Sequence, residues 1–147
     1  VEHARMYIKI QTRRFPNRFR VDWEIPEAMM QHTVVQLTLH PLLENAILHG
    51  VKKMSDFGVI RVSGDVREGV LSISVSDNGP GFTPEALGRI EESRAAGVFR
   101  TSEHVGLFNV DQRLKLIYGD RASLSIHEDG RTHDTVASVF IPLDGEA

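Results

Sequence analysis

Pro41-Leu42-Leu43-Glu44-Asn45-Ala46-Ile47-Leu48-His49-Gly50 is the stretch on which the reading of the fold turns. Leu42, Leu43, Ala46 and Ile47 recur at helical spacing, so one side of the segment faces a core. Asn45 and His49 are four apart and share another side. A carboxamide among so many apolar neighbours needs a partner, because an unsatisfied buried polar group is costly. Two roles fit it. Its amide oxygen suits a hard cation such as Mg²⁺, which keeps waters and phosphate oxygens as its other ligands. Alternatively it caps or cross-links backbone. Pro41 lacks a backbone donor, so a helix start or kink is expected near it within a pattern running from about Thr33 to Val51.

The surrounding chain has 147 residues, which suits one domain with one core. Its 41% hydrophobic and 25% charged composition is that of an ordinary globular protein, and the net charge of −3 shows no polyelectrolyte character. The absence of cysteine excludes disulfides, thiolate metal sites and a cysteine nucleophile, and fits a reducing compartment. No apolar run is long enough for a transmembrane helix, and no signal peptide is visible. The chain opens at Val1 in mid-pattern, which predicts a piece of a longer protein.

A helix is expected over residues 1–14, then a turn at Pro16-Asn17 amid Arg13, Arg14, Arg18 and Arg20. These arginines lack a nucleic-acid reading motif and sit in an acidic chain, so they read as a solvated linker. Phe19, Val21, Trp23 and Ile25 alternate as a half-buried strand. Val59–Val66 and Val70–Ser76 form a hairpin about Glu68-Gly69. Thr83-Pro84-Glu85 opens a helix to about Ala95. Residues 96–105 read as a loop. Leu107–Tyr118 is an amphipathic helix with Leu107, Val110, Leu114 and Ile117 on its stripe and Gly119 past its end. Ala122–His127 and Thr135–Ile141 make a last hairpin about Asp129-Gly130. The fold class that follows is α+β: a two-layer α/β sandwich, its mixed, mainly antiparallel sheet covered on one face by helices.

Two further stretches carry chemistry. In Asp77-Asn78-Gly79-Pro80-Gly81-Phe82, the glycines let backbone approach a ligand closely. An ionised Asp77 is acceptor-only, so it can take a hydrogen bond from the exocyclic amino group of adenine and reject guanine. The other reading is an ordinary Asx turn. In Val105-Gly106-Leu107-Phe108-Asn109-Val110, a glycine loop runs into a helix start whose free N–H groups suit a phosphate.

Together, and in this order, the three stretches resemble the ATP-binding module shared by gyrase, heat-shock chaperones, histidine kinases and mismatch-repair proteins. They are most similar to the catalytic domain of LytS-like sensor histidine kinases (the GHKL or Bergerat type). That family's helix reads Gln-Pro-Leu-Val-Glu-Asn-Ala-Ile-Lys-His-Gly, matched by His40 to Gly50. Its Gly-Leu-x-Asn-Val-x-x-Arg-Leu segment is matched by Gly106, Leu107, Asn109, Val110, Arg113 and Leu114. Tyr7, Ile8, Arg14-Phe15 and Arg18-Phe19 resemble the end of its dimerisation segment and linker. Asp134-Thr135 through Ile141-Pro142 resembles its last strand.

The resemblance implies two parts: residues 1–18 as the end of a dimerisation helix with its linker, and 19–147 as the ATP-binding catalytic domain. It implies ATP and Mg²⁺ as cofactors. Asn45 would hold the metal, with His49 beside it at the nucleotide. Asp77 would read the adenine, helped by the Thr135 hydroxyl. Gly79 and Gly81 would let the loop pass close to the nucleotide, and His104, Gly106 and Leu107 would form a lid over the phosphates. Asn109 and Arg113 have packing or capping roles as readily as contacts.

The γ-phosphoryl group would go to a histidine on an upstream dimerisation and phosphoacceptor domain absent from this chain, and from there to a response regulator. The parent would be a membrane homodimer with this part in the cytoplasm. A rival is a non-catalytic nucleotide-sensing or partner-binding module on the same fold. Three positions depart from the family pattern, His104 for the first lid glycine, Leu48 for a lysine and Asp134 for a glycine, and the first two favour the rival. In the gyrase and chaperone branches a glutamate four residues before the asparagine activates water; here Pro41 stands there, which implies slow ATP hydrolysis. Glu44 is about 100° round the helix from Asn45. It would bond a metal-bound water or orient the nucleophile, or else form a structural salt bridge. The other histidines show no metal spacing, and His40 with Glu44 supplies only two ligands.

Overall fold

A computed structural model describes residues 2–26, 29, 33–51, 56–80, 85, 88, 92 and 105–142. Helix α1 spans Glu2–Arg14, strand β1 Phe19–Glu24, and helix α2 Thr33–Asn45, continued by a π-helical turn over Ala46–Gly50. Strands β2 (Gly58–Arg67) and β3 (Val70–Asp77) follow, then helix α3 (Val105–Tyr118), a 3₁₀ turn over Gly119–Arg121, and strands β4 (Ser123–Glu128) and β5 (Thr135–Pro142).

These strands form one mixed sheet in the order β1-β2-β3-β5-β4, with β1 parallel to β2 and every other pair antiparallel. The expected α+β sandwich is therefore the observed fold. Two turns show why the hairpins and helix ends fall where they do. Glu68 and Gly69 both have positive φ, 51° and 77°, which joins β2 to β3 with the twist a two-residue hairpin needs. Gly119, at φ 63°, ends α3 in the left-handed region that glycine adopts without strain.

Register decides which face is buried. Ile60 lies opposite Asp77, Val62 opposite Val75, Ile73 opposite Val139, and Leu71 opposite Ile141. All of these are buried. The alternate residues form a polar outer face, where Ser74 and Ser138 hydroxyls bond at 2.8 Å and Arg61 Nε lies 3.7 Å from Glu24 Oε1. Against the inner face pack Leu39, Leu42, Leu43, Ala46 and Ile47 of α2, none more than 1% exposed. Burial of each Leu or Ile contributes about 1.5–3 kcal/mol.

That packing explains one difference from expectation. The helix neither starts nor breaks at Pro41, which lies inside α2. The loss of one backbone donor costs about 3 kcal/mol, and the buried leucines on both sides of it offset that.

A second difference lies in α3, which begins at Val105 and so takes Gly106 into its first turn. Its buried arc is Val110, Asp111 and Leu114, while Ile117 is 55% exposed. Ile117 lies about 60° round the helix from Leu114, at the edge of that arc, and Asp111 occupies the inside. Glu85, Gly88 and Glu92 are helical, in keeping with a helix after Thr83; the rest of that helix and the loop up to residue 104 lie outside the described residues.

Candidate functional site

The site is built where α2 ends against the end of β3. Asn45 is the last α-helical residue and is 7% exposed. Its carboxamide does not cap the turn that follows. Instead the helix widens: Val51 N–H donates to both Ala46 O and Ile47 O, so one turn holds an extra residue. This wider turn carries Gly50 to the Asp77 side chain. A Cβ on Gly50 would lie 2.6 Å from Asp77 Cγ, and one on Gly79 would lie 2.6 Å from Gly50 Cα. A Cβ at either place would force a neighbour to shift: backbone at Gly79, the Asp77 carboxylate at Gly50.

Asp77 is 3% exposed and ends β3. Its Oδ1 accepts from Gly79 N–H at 2.9 Å, the Asx-type turn that was one of the two readings. Among the described residues Gly79 is the only donor to this carboxylate. Burial pushes its pKa up to about 6, the Gly79 hydrogen bond opposes that, and the charge of Asp134 adds to it. Thr135 is its cross-strand partner on the same face and is also buried. Asn78 turns outward and ties the loop to β2: its Oδ1 accepts from Val59 N–H at 2.7 Å, and its Nδ2 donates to Phe57 O at 3.4 Å.

Glu44 faces a different neighbour. Its Oε2 is 3.7 Å from His40 Nε2, and the His40 ring lies 4.4 Å from the Tyr7 ring of α1. Burial, then the Glu44 charge, pushes the Tyr7 hydroxyl up to about 12, with Arg14 pulling the other way. Leu48 packs on the core.

Thus the structure brings Asp77, Thr135 and Gly79 together, joined through Gly50 to the π turn over Ala46–Gly50, which follows Asn45. Glu44 lies on the α1 side. Gly106 and Leu107 lie in the first turn of α3, whose N–H groups have no partner within the helix. The side chains of His49 and Leu107 lie outside the described residues, as do Gly81 and His104 altogether. Asn109 is exposed, and so is Arg113. Among the described residues no three His, Asp or Glu side chains cluster as a metal site. A surface depression of about 280 Å³, lined by Asp65, Arg67, Val70, Ser72 and Phe140, includes none of these residues. Sequence reasoning gave no role to Gly50, whose glycine at a helix end signals only a stop, or to Asn78, hidden in a common turn tripeptide.

Residues 34–145 match the family described as histidine kinase-, DNA gyrase B-, and HSP90-like ATPase. The chain belongs to that family. Within this ATPase family it is an ATP-binding catalytic domain of histidine-kinase type. It is 32% identical to the sensor histidine kinase YpdA of Escherichia coli K12, over 92% of this chain and 22% of that protein. It is also 32% identical to the sensor protein LytS of Staphylococcus saprophyticus, over 97% of this chain and 23% of that one. The chain thus spans under a quarter of the length of these two relatives. The catalytic domain of histidine kinase ThkA shares the fold, with a TM-score of 0.67 at 16% identity, over 97% of this chain and 88% of that one. The LytS-like resemblance and the ATPase-domain fold are therefore the observed ones.

Proposed function

We propose that this ATPase domain is the catalytic part of a two-component sensor histidine kinase. It binds ATP with Mg²⁺ and passes the γ-phosphoryl group to a histidine on an upstream dimerisation domain, which then supplies a response regulator. The observation that supports this is the buried Asp77–Thr135 pair, packed through Gly50 against the π turn that follows Asn45. A buried carboxylate with one oxygen held by Gly79 keeps its other oxygen for a donor such as the adenine amino group. Thr135 adds a hydroxyl beside it.

Asn45 would hold Mg²⁺, with His49 beside it. One amide oxygen and no carboxylate cluster fit an ion that takes most of its ligands from water and phosphate. When bound, the metal neutralises phosphate charge and so favours transfer. Gly106 and Leu107, in the first turn of α3, would present N–H groups to the phosphates. His104 and Gly81 belong to the same nucleotide-contacting set. Glu44 would orient a metal-bound water or the incoming nucleophile, a role that its contact with His40 leaves open to rearrangement. With Pro41 at the place of the hydrolase base, ATP hydrolysis is slow. A neutral imidazole on the acceptor is already nucleophilic and needs no strong base.

In this reading α1 and its linker, residues 1–18, are the end of the dimerisation segment. The parent is a homodimer in the cell membrane with this domain in the cytoplasm. No described helix is long and apolar enough to cross a membrane. Titration with ATP and GTP in the presence of Mg²⁺ tests the reading: preference for ATP is expected, and equal affinity overturns it. With the upstream domain restored, acid-labile phosphate on histidine is expected; its absence alongside tight ATP binding favours a nucleotide-sensing module instead.

A further inference from the structure

Asp77 ends a strand, where a side chain is ordinarily free to change rotamer and the backbone to fray. Here neither freedom exists, and the reason lies in two residues beside it. The ladder between β2 and β3 continues one step past Asp77, because Asn78 N–H donates to Val59 O at 3.3 Å. The reciprocal bond is not made by the Asn78 carbonyl. The Asn78 carboxamide replaces it, its Oδ1 accepting from Val59 N–H at 2.7 Å. The side chain thus completes the pairing that the backbone abandons. The chain is free to leave the sheet at once and bring Gly79 N–H beneath Asp77 Oδ1.

From the other side, the Gly50 backbone closes on the carboxylate. A Cβ there would lie 2.6 Å from Asp77 Cγ and 2.9 Å from Oδ2. It would strike the end of the side chain and force the carboxylate to move. Gly79 and Gly50 also meet backbone to backbone. Asp77 is therefore held between a carboxamide that fixes its strand end and a glycine that fixes its rotamer.

We infer that Asn78 and Gly50 are positioning residues for base selection: together they aim the Asp77 carboxylate, and with it the preference for adenine over guanine. This rests on the proposed nucleotide site. Removal of either restraint leaves Asp77 in place as a chemical group but lets its oxygens move. Discrimination then falls because it depends on a single hydrogen bond of defined direction.

The test compares ADP and GDP binding by isothermal titration at pH 8, with circular dichroism and thermal melting as controls for folding. The proteins are this chain and its Asp77→Asn, Gly50→Ala, Asn78→Ala and Asn78→Asp variants. Asn78→Ala and Gly50→Ala are each expected to reduce the ADP-over-GDP preference about tenfold, the worth of one hydrogen bond to a charged group. Asn78→Asp keeps the Oδ1 acceptor for Val59 N–H and should restore most of the preference. A merely structural role would lower the melting temperature and both affinities together and leave their ratio unchanged. That result, or an Asn78→Asp variant no better than Asn78→Ala, overturns the inference. Should Gly50→Ala fail to fold, the Asn78 pair decides alone. If Asp77→Asn removes the preference while Asn78→Ala keeps it, the inference falls and the nucleotide site stands. If Asp77→Asn keeps the preference, both fall.

Discussion

The two sides of α2 are built on opposite principles. Toward Asp77, contacts are steric and backbone-based: Gly50 against Gly79, Gly79 N–H on the carboxylate, no room for a methyl group. Toward α1, buried Ile8 joins the core, and the polar contacts beside it are long: His40 to Glu44, both on α2, at 3.7 Å with both about two-fifths exposed, and Tyr7 tilted at 49° on His40. Helix α1 also carries a buried Gln11, whose Oε1 has no hydrogen-bond partner among the described residues. Close-packed backbone has few alternative arrangements, whereas a long, exposed side-chain contact costs little to exchange. One side therefore preserves geometry, and the other permits change.

The contrast is broken most severely at Asp77. Its folded pKa lies near 6, above the ordinary 3.8 of the unfolded chain. The native state thus binds the proton more tightly, and the ionised carboxylate costs stability above pH 6. That cost disappears as pH falls from about 6 toward 4. The shift corresponds to roughly 3 kcal/mol. Asp77→Asn, which keeps the acceptor for Gly79, should be more stable than the parent at pH 7.5 by an amount of that order. The gap should close by pH 4 in urea titrations. A gap independent of pH would contradict a carboxylate buried in this way. ATP affinity of the parent should move oppositely, weakening below pH 6 as the acceptor is protonated.

Gly79→Ala tests the same side by overpacking. A Cβ 2.6 Å from Gly50 Cα forces the turn away from the loop. A loss of about 1–3 kcal/mol in the urea midpoint is expected. Across the helix, Gln11→Leu removes the orphaned amide at similar volume and should stabilise the chain by about 1 kcal/mol. Glu44→Gln should change stability by less than about 1 kcal/mol, since its partner is exposed and distant. A larger loss there would mean that the α1 side is as rigid as the other.

Much of this frame was legible beforehand. The alternation in β2, β3 and β5, the Glu68-Gly69 turn and the Gly119 stop are local signals, and each lies where local chemistry puts it. The pairing of Asp77 with Thr135 followed from family likeness, and register supplies its physical form. The π turn was not legible, because an extra residue in one helical turn leaves the spacing of Leu42, Leu43, Ala46 and Ile47 intact. Its cause is a contact with a strand far along the chain. The exchange of Ile117 for Asp111 failed for a related reason. Hydrophobicity alone cannot show that a carboxylate with Lys115 Nζ 3.3 Å away occupies the inner arc.

The linker between α1 and β1 ends at Arg18, whose carbonyl accepts Gly58 N–H at 2.8 Å. The residues flanking Gly58 are Phe57 and Val59, the two that the Asn78 carboxamide grips. Three hydrogen bonds along the rim of the sheet therefore join that linker to the loop holding Asp77.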